Sequence, residues 1–352
     1  MCIILLHCPR FCVYISILTP YSYFSKKVDI SLTTGLGFSK IGKTDKPFSG
    51  VFEGNNNTIK NLYINSPEEN NIALFMNVSF GKIQNLNIEN FNVKGKNNVG
   101  SLISNIDSGV VTNINGKNIN VEGNDSVGGV ISRTSDSIIS KIQIDNLTVN
   151  SSYRFVGGLI GRKNSGVVNM IKLSNIQVYS EDGYTGGLVG SNHGIIENCK
   201  VSGNISSSGI YLGMISGMND SNITSVVVKG NIYGETYVGG VIGSTRGLSE
   251  QEKAFISGVF LFGNIKAGPY SSRMFGNSSN FQSETLAFSG INYNGKPITS
   301  KDITSKFGKS LLDMGKASQS EYEAIGFEFE STDTNECYWY FDENDELDLM
   351  IK

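Results

Sequence analysis

The sequence predicts an all-β chain wound as a parallel β-solenoid of about eight coils, closed by small N-terminal and C-terminal caps. Three recurring features predict it. An asparagine followed by an apolar residue returns at nearly even intervals, at Asn90-Phe91, Asn118-Ile119, Asn146-Leu147, Asn175-Ile176, Asn204-Ile205, Asn231-Ile232 and Asn264-Ile265. About half a period away, a small-residue turn feeds a short apolar strand: Val127-Gly128-Gly129-Val130-Ile131, Val156-Gly157-Gly158-Leu159-Ile160-Gly161, Gly186-Gly187-Leu188-Val189-Gly190 and Val238-Gly239-Gly240-Val241-Ile242-Gly243. Between these two markers lies an alternating apolar pair, as in Ile83 and Leu86, Val111 and Ile114, Ile139 and Ile142, Val168 and Ile171, Ile196 and Cys199, and Ile223 and Val226. A period of roughly 28 residues is a mark of stacked repeats, in which each unit buries its apolar edge against its neighbours.

Each element has a local cause. The apolar runs are short, β-branched and separated by Gly, Asn and Ser, which suits strands and is too brief for helices. Coils in register would pair equivalent strands in parallel at about 4.8 Å, so that eight give a column of roughly 40 Å. Asn tolerates the left-handed turn conformation, and its amide can both donate to and accept from the equivalent amide one coil away. The expectation is one ladder of all seven asparagines. The Gly pairs must either adopt positive φ or let backbones approach closely, and Gly permits both. A phosphate-cradling role is disfavoured, because nucleotide-binding glycine loops open helices whereas these open strands.

The chain has 352 residues, with Lys+Arg 29 against Asp+Glu 32 and a formal net charge of -3, so no global field would steer it to nucleic acid or an anionic membrane. With 41 Gly and 6 Pro it fits a turn-dense β-protein. Five cysteines form no disulfide or zinc pattern: Cys2, Cys8 and Cys12 cluster near His7 without a Cys-x-x-Cys pair, while Cys199 and Cys337 stand alone. Cys199 takes a position held in other repeats by Leu86, Ile114, Ile142, Ile171 and Val226, and is expected in the core.

Along the chain, four segments are expected: an apolar N-terminal segment (1–27), an N-terminal cap with first strands (28–71), the repeats (72–280) and a C-terminal cap with a short helix and a hairpin (281–352). His7, Pro9 and Arg10 interrupt the apolar start, so no span of about 20 apolar residues is available to cross a membrane. It also lacks the features of a secretory signal. Residues 296–318 have spacing compatible with a helix covering the last open coil, with Lys301, Lys306, Lys309, Leu311, Leu312 and Met314. The acidic run Asp342 to Glu346 lacks the sixth-position Gly of a calcium loop, and reads as a hairpin turn between Tyr338–Phe341 and Leu347–Ile351.

The run Pro47-Phe48-Ser49-Gly50-Val51-Phe52-Glu53-Gly54-Asn55, followed by Thr58-Ile59 and Asn61-Leu62, resembles the leading block of bacterial GLUG-motif repeat proteins. The repeats carry that family's Gly-Leu-x-Gly at Gly158–Gly161 and Gly187–Gly190, with Val for Leu at Gly240–Gly243. Gly326-Phe327-Glu328-Phe329 with Trp339 is similar to the family's closing segment. The resemblance implies a parallel β-solenoid from an adhesin-like exoprotein, or from the non-catalytic region of an immunoglobulin-A-peptidase-like surface protein. It further implies an extracellular or cell-surface setting and a chain that is part of, or derived from, a larger surface protein.

Catalytic chemistry is sparse. Only two histidines exist, and His193 stands where other repeats place Asp107, Asp136 or Asn164, as in ordinary turn variation. No catalytic, cofactor-binding or metal-ligating residue is expected, and the chain is read as a non-enzyme. The alternative is a polysaccharide-cleaving enzyme on a β-helix scaffold. Glu181, Asp182, Arg154 and Arg162 fall in neighbouring periods for it, but at turn positions that do not coincide. The favoured reading is a structural or adhesive module binding a host or cell-surface protein or glycan on a lateral face. Tyr153, Tyr184, Tyr211, Tyr237 and Tyr270 recur just before the Gly turns, and either form an exposed aromatic binding stripe or merely cover the turns.

Overall fold

The computed structural model describes residues 40–245, 254–278, 281–288, 291–297, 318–329, 337–344 and 346–351, and the backbone of strands Cys2–Cys8, Phe11–Ile17, Tyr21–Tyr23, Ile30–Ser31 and Lys309–Leu311. The side chains of Cys2, His7, Cys8 and Cys12 lie outside that description.

The chain is a parallel β-solenoid. One wall is a sheet of eight short strands, each from a successive coil: Phe75–Ser79, Ile103–Asp107, Ile131–Ser135, Ile160–Lys163, Val189–Asn192, Ser216–Asn219, Ile242–Thr245 and Phe275–Ser278. The remaining walls come from long strands paired in parallel: Lys82–Lys94, Val110–Gly123, Ile138–Ser151, Val167–Ser180, Ile195–Gly213 and Ile223–Gly239. These long strands replace the separate short ones expected from the sequence. Single residues with positive φ turn the chain without interrupting the ladder, such as Lys141 (53°) and Asn146 (56°) within Ile138–Ser151.

Register decides the core. Ile83, Val111, Ile139, Val168, Ile196 and Ile223 form one inward column, and Leu86, Ile114, Ile142, Ile171, Cys199 and Val226 form the next. All twelve are buried, Cys199 among them, its thiol donating to the Glu197 carbonyl. A buried aliphatic side chain of this size contributes roughly 1.5–3 kcal/mol, and stacking in columns gives every coil the same share. Stacking extends below the repeats: Ile41 and Phe48 bridge to Phe75 and Val78, and Phe48 and Phe52 pack their rings on Phe75 at 5.4 and 5.2 Å.

The Gly pairs serve close approach, and none of Gly128, Gly157 and Gly186 has positive φ. A Cβ on any of the three would collide with the carbonyl oxygen three residues on, that of Ile131, Ile160 or Val189. The second glycines, Gly129 and Gly158, face the carbonyl of Gly158 and Gly187 in the next coil.

The asparagines form two ladders where one was expected. Asn90, Asn118, Asn146 and Asn175 turn with φ between 56° and 58°. Asn90 donates to Asn61, Asn118 to Asn90 and Asn146 to Asn118 at 3.1, 2.9 and 2.7 Å, while Asn175 donates to Asp145 at 2.7 Å. The register then shifts after Leu173, so that Asn204 stands beside Gln177 rather than Asn175. From there Gly203, Gly230 and Gly263 take the positive φ (143°, 144° and 151°). Asn204, Asn231, Asn264 and Asn292 make a second ladder beside them, with amide contacts of 2.8, 2.9 and 3.2 Å.

The C-terminal hairpin pairs Cys337–Phe341 with Leu347–Ile351 in antiparallel register. It does not sit over the last coil but docks sideways on outward-facing residues. Asp348 meets Lys172 (2.7 Å) and Lys200 (3.0 Å), Glu346 meets Lys229 (2.7 Å), and the Ser225 hydroxyl donates to the Gly326 carbonyl. Val227, in register with Lys200 on that outer face, is consequently fully buried. Within 296–318 the described backbone is extended at Lys296–Pro297 and Lys309–Leu311. The helix lies at Gln319–Glu323, where Ser318 and Glu321 form a capping box that starts it locally.

Candidate functional site

Two surface features meet on the turns that precede the Gly pairs. The first is an aromatic ladder. Phe155, Tyr184, Tyr211, Tyr237 and Tyr270 stack ring on ring with centroids 5.2, 5.2, 5.0 and 5.4 Å apart and interplanar angles of 12°, 5°, 15° and 29°. Register produces the stack, since each ring stands immediately before a strand residue paired with its counterpart, as Val156 with Thr185 and Thr185 with Leu212. Phe155, Tyr211, Tyr237 and Tyr270 hold φ between 55° and 62°, an uncommon conformation for aromatic residues that Asn98 and Ser126 adopt in the earlier coils. The rings are half-buried until Tyr270, which leaves 69% exposed. Of the five tyrosines singled out by sequence, four are therefore in the ladder. Tyr153 is not; Phe155 holds its rung, and Tyr153 lies two residues earlier, 42% exposed, with the Arg154 guanidinium 4.9 Å from its ring centroid.

The second feature is a polar groove of about 630 Å³ at the foot of that ladder. Its floor and walls include Arg133, Arg154, Arg162, Tyr153, Phe155 and Asp125. Arg133 and Arg162 occupy the same register position on adjacent coils. Arg154 pairs with Asp125 at 3.5 Å. Arg162 and Arg154 lie 5.1 and 5.4 Å from the Phe155 ring centroid. Glu181 and Asp182 do not join them: Asp182 accepts from the Gly183 backbone N–H (2.6 Å) in its own turn. The arginines weighed for a polysaccharide-cleaving site thus converge without the carboxylates weighed beside them.

A third cluster escaped the sequence reading. His193 Nδ1 lies 2.6 Å from Asp220, and its Nε2 lies 3.1 Å from the Ser191 hydroxyl. With the ring proton on Nδ1, His193 donates to Asp220 and accepts from Ser191, the order of a hydrolase triad. Ser191 is however fully buried (0% exposed), so its oxygen is closed to a substrate carbonyl. Beneath it, Lys163 is buried with its ammonium donating to the Gly166 carbonyl at 2.8 Å. Burial lowers its pKa to about 7, against the opposing pull of Asp220. The signal was the spacing: Asp220 follows His193 by one coil.

In the hairpin, Asp342 accepts from the backbone N–H of Asn344 and Glu346, and Glu346 is held by Lys229, so these carboxylates serve the turn and its docking. No group of three or more metal-ligating side chains occurs among the described residues. None of their helices is long and apolar enough to cross a membrane.

Comparison with known proteins agrees with the fold. The family model described as "The GLUG motif" matches residues 182–206, so the chain carries a GLUG motif there. Halomucin of Haloquadratum walsbyi is 39% identical over 71 residues, covering 20% of this chain and 1% of halomucin. The chain therefore corresponds to a very small part of that relative's length. No solved structure matches it.

Proposed function

We propose that this chain is a non-enzymatic extracellular module, structural or adhesive, that binds a host or cell-surface protein or glycan on its lateral face. The observation that carries the reading is the aromatic ladder from Phe155 to Tyr270, five rings held in line by coil register on one side of the column. Rigid aromatic surface presented by a scaffold that cannot rearrange is suited to binding with little entropic cost. The burial of Ser191 supports the absence of acyl-transfer chemistry at the Ser191, His193 and Asp220 cluster. The GLUG motif and the similarity to halomucin support a place at the cell surface as part of a larger protein. The test is a glycan and surface-protein array read with the purified full chain, alongside a product-release assay on the same glycans. Binding without product is the expected result. Catalytic release of shortened glycan would replace this reading with the polysaccharide-cleaving one.

A further inference from the structure

The arginine groove asks for an anion. Arg133 and Arg162 repeat at one register position, so their strands lie about 4.8 Å apart and two positive side chains stack along the column. Like charges at neighbouring positions of a ladder repel, and a chain stacking them normally interposes a carboxylate. Here the earlier occupants of that column are the neutral Asn77 and Asn105, and the next is Ser191. Neither Arg133 nor Arg162 has a carboxylate partner among the described residues, whereas Arg154 alone is paired, with Asp125. The Nε of Arg162 is buried with no hydrogen-bond partner, which leaves a strong donor unsatisfied. Phe155 holds the Arg162 guanidinium from its ring face, fixing the plane that a bidentate acceptor would meet.

We propose that this groove binds an acidic saccharide, with Arg133 and Arg162 receiving anionic groups and the exposed Tyr153 ring stacking on a sugar face. This rests on the binding reading above and names the ligand class for one part of the lateral surface. The volume of about 630 Å³ is within the range of small-ligand sites, roughly 300–1,000 Å³. Asn97, Asn98 and Asn124 line the same groove and supply amides able to donate to and accept from hydroxyl groups. The two arginines stand on strands about 4.8 Å apart, so both can reach the carboxylate of one acidic sugar or those of neighbouring ones. A peptide carboxylate would meet the arginines as well, but the exposed Tyr153 ring and the amides of Asn97, Asn98 and Asn124 suit the apolar face and hydroxyl groups of a sugar better than an acidic peptide.

The experiment is calorimetric titration of the full chain with trigalacturonate, neutral cellotriose, sodium sulfate and oligoglutamate, repeated on R133Q and R162Q. Trigalacturonate is expected to bind, to weaken at least tenfold in each variant and to weaken with added salt, while cellotriose gives no heat. Arg133 is partly exposed, so R133Q serves if R162Q loses its fold, and the comparison with cellotriose needs no variant. Equal binding of cellotriose, or unchanged affinity in R133Q, overturns the proposal. Sulfate or oligoglutamate binding as tightly as trigalacturonate overturns its saccharide part. Array binding of other ligands while trigalacturonate stays silent would leave the adhesive reading standing and remove this one.

Discussion

The coils before Asn175 and those after Gly203 solve the same corner differently. In the earlier coils one residue does two jobs: Asn90, Asn118 and Asn146 adopt the left-handed bend and also link to the adjacent coil through their side chains. In the later coils the jobs are divided, Gly203, Gly230 and Gly263 bending and Asn204, Asn231 and Asn264 linking. A parallel contrast holds before the Gly pairs, where Asn98 and Ser126 give way to Phe155, Tyr211, Tyr237 and Tyr270 at the same backbone angle. The lesson is that the inward columns continue through the register shift while the chemistry at each corner is exchangeable. The aromatic ladder and the docked hairpin straddle the change, starting at Phe155 and Lys172 and running on into the later coils.

The largest expected effect breaks the bend. Gly230 has φ 144° and its missing Cβ faces the Gly203 carbonyl, so Gly230→Val should cost more than about 3 kcal/mol in urea unfolding. Asn118→Gly keeps an allowed bend but loses two amide contacts, the one it donates to Asn90 and the one it accepts from Asn146, so about 1–2 kcal/mol is expected there. Equal costs would erase the distinction between the two halves.

A second effect belongs to the hairpin, whose ion pairs reach from Lys172 to Lys229 across the register shift. Burial alone would raise the Asp348 pKa, but the hydrogen bond from Lys172 and the charge and hydrogen bond of Lys200 outweigh it and hold it at about 2. A carboxylate lowered from 3.8 stabilises the docked state above pH 4, and that contribution fades as pH falls from about 4 to 2. The loss is of order 2–3 kcal/mol. Trp339, the chain's single Trp and buried in the hairpin, reports it. Its fluorescence should shift to the red between pH 4 and pH 2, with faster amide exchange around Lys172–Lys229 and none around Ile103–Asn146. A pH-independent Trp339 signal would contradict the ion-pair account of docking.

The smallest effect concerns the ladder. Tyr211→Asn restores the residue type that Asn98 uses at this bend, while removing two ring contacts of 5.2 and 5.0 Å. The contacts are worth about 0.5–1.5 kcal/mol each and are partly offset by relief at the bend, leaving about 1 kcal/mol of net destabilisation. A loss above 3 kcal/mol would mean the rings are structural, and would weaken their reading as a binding surface.

Much of the fold was legible because burial in a stacked column repeats with the coil. The inward columns, the core place of Cys199 and the hairpin strands all follow from residue type and period. What the spacing hid was the register shift after Leu173. Asn175 and Asn204 are separated like the asparagines before them, yet the coil between Ile176 and Gly203 is shorter, and only pairing reveals the slip. Tyr153 stands outside the ladder because the rung is set by the distance to the Gly pair, which Phe155 satisfies. The arginine groove and the Ser191, His193 and Asp220 cluster join residues one coil apart, and they become visible only once register is known. The sideways docking of the hairpin had one sequence trace, the unbroken Val226-Val227-Val228, apolar on both faces because both are covered.

Spin-label distances test the stacking itself. Lys94, Glu122, Asn150, Tyr179, Ser206, Tyr233 and Lys266 form one outward column through successive pairings. Labels at 94 and 233 should lie about 24 Å apart and labels at 94 and 266 about 29 Å, one strand spacing more, in a background freed of its other reactive cysteines. Broad distributions, or a 94–266 distance no longer than the 94–233 one, would contradict a column of coils in register.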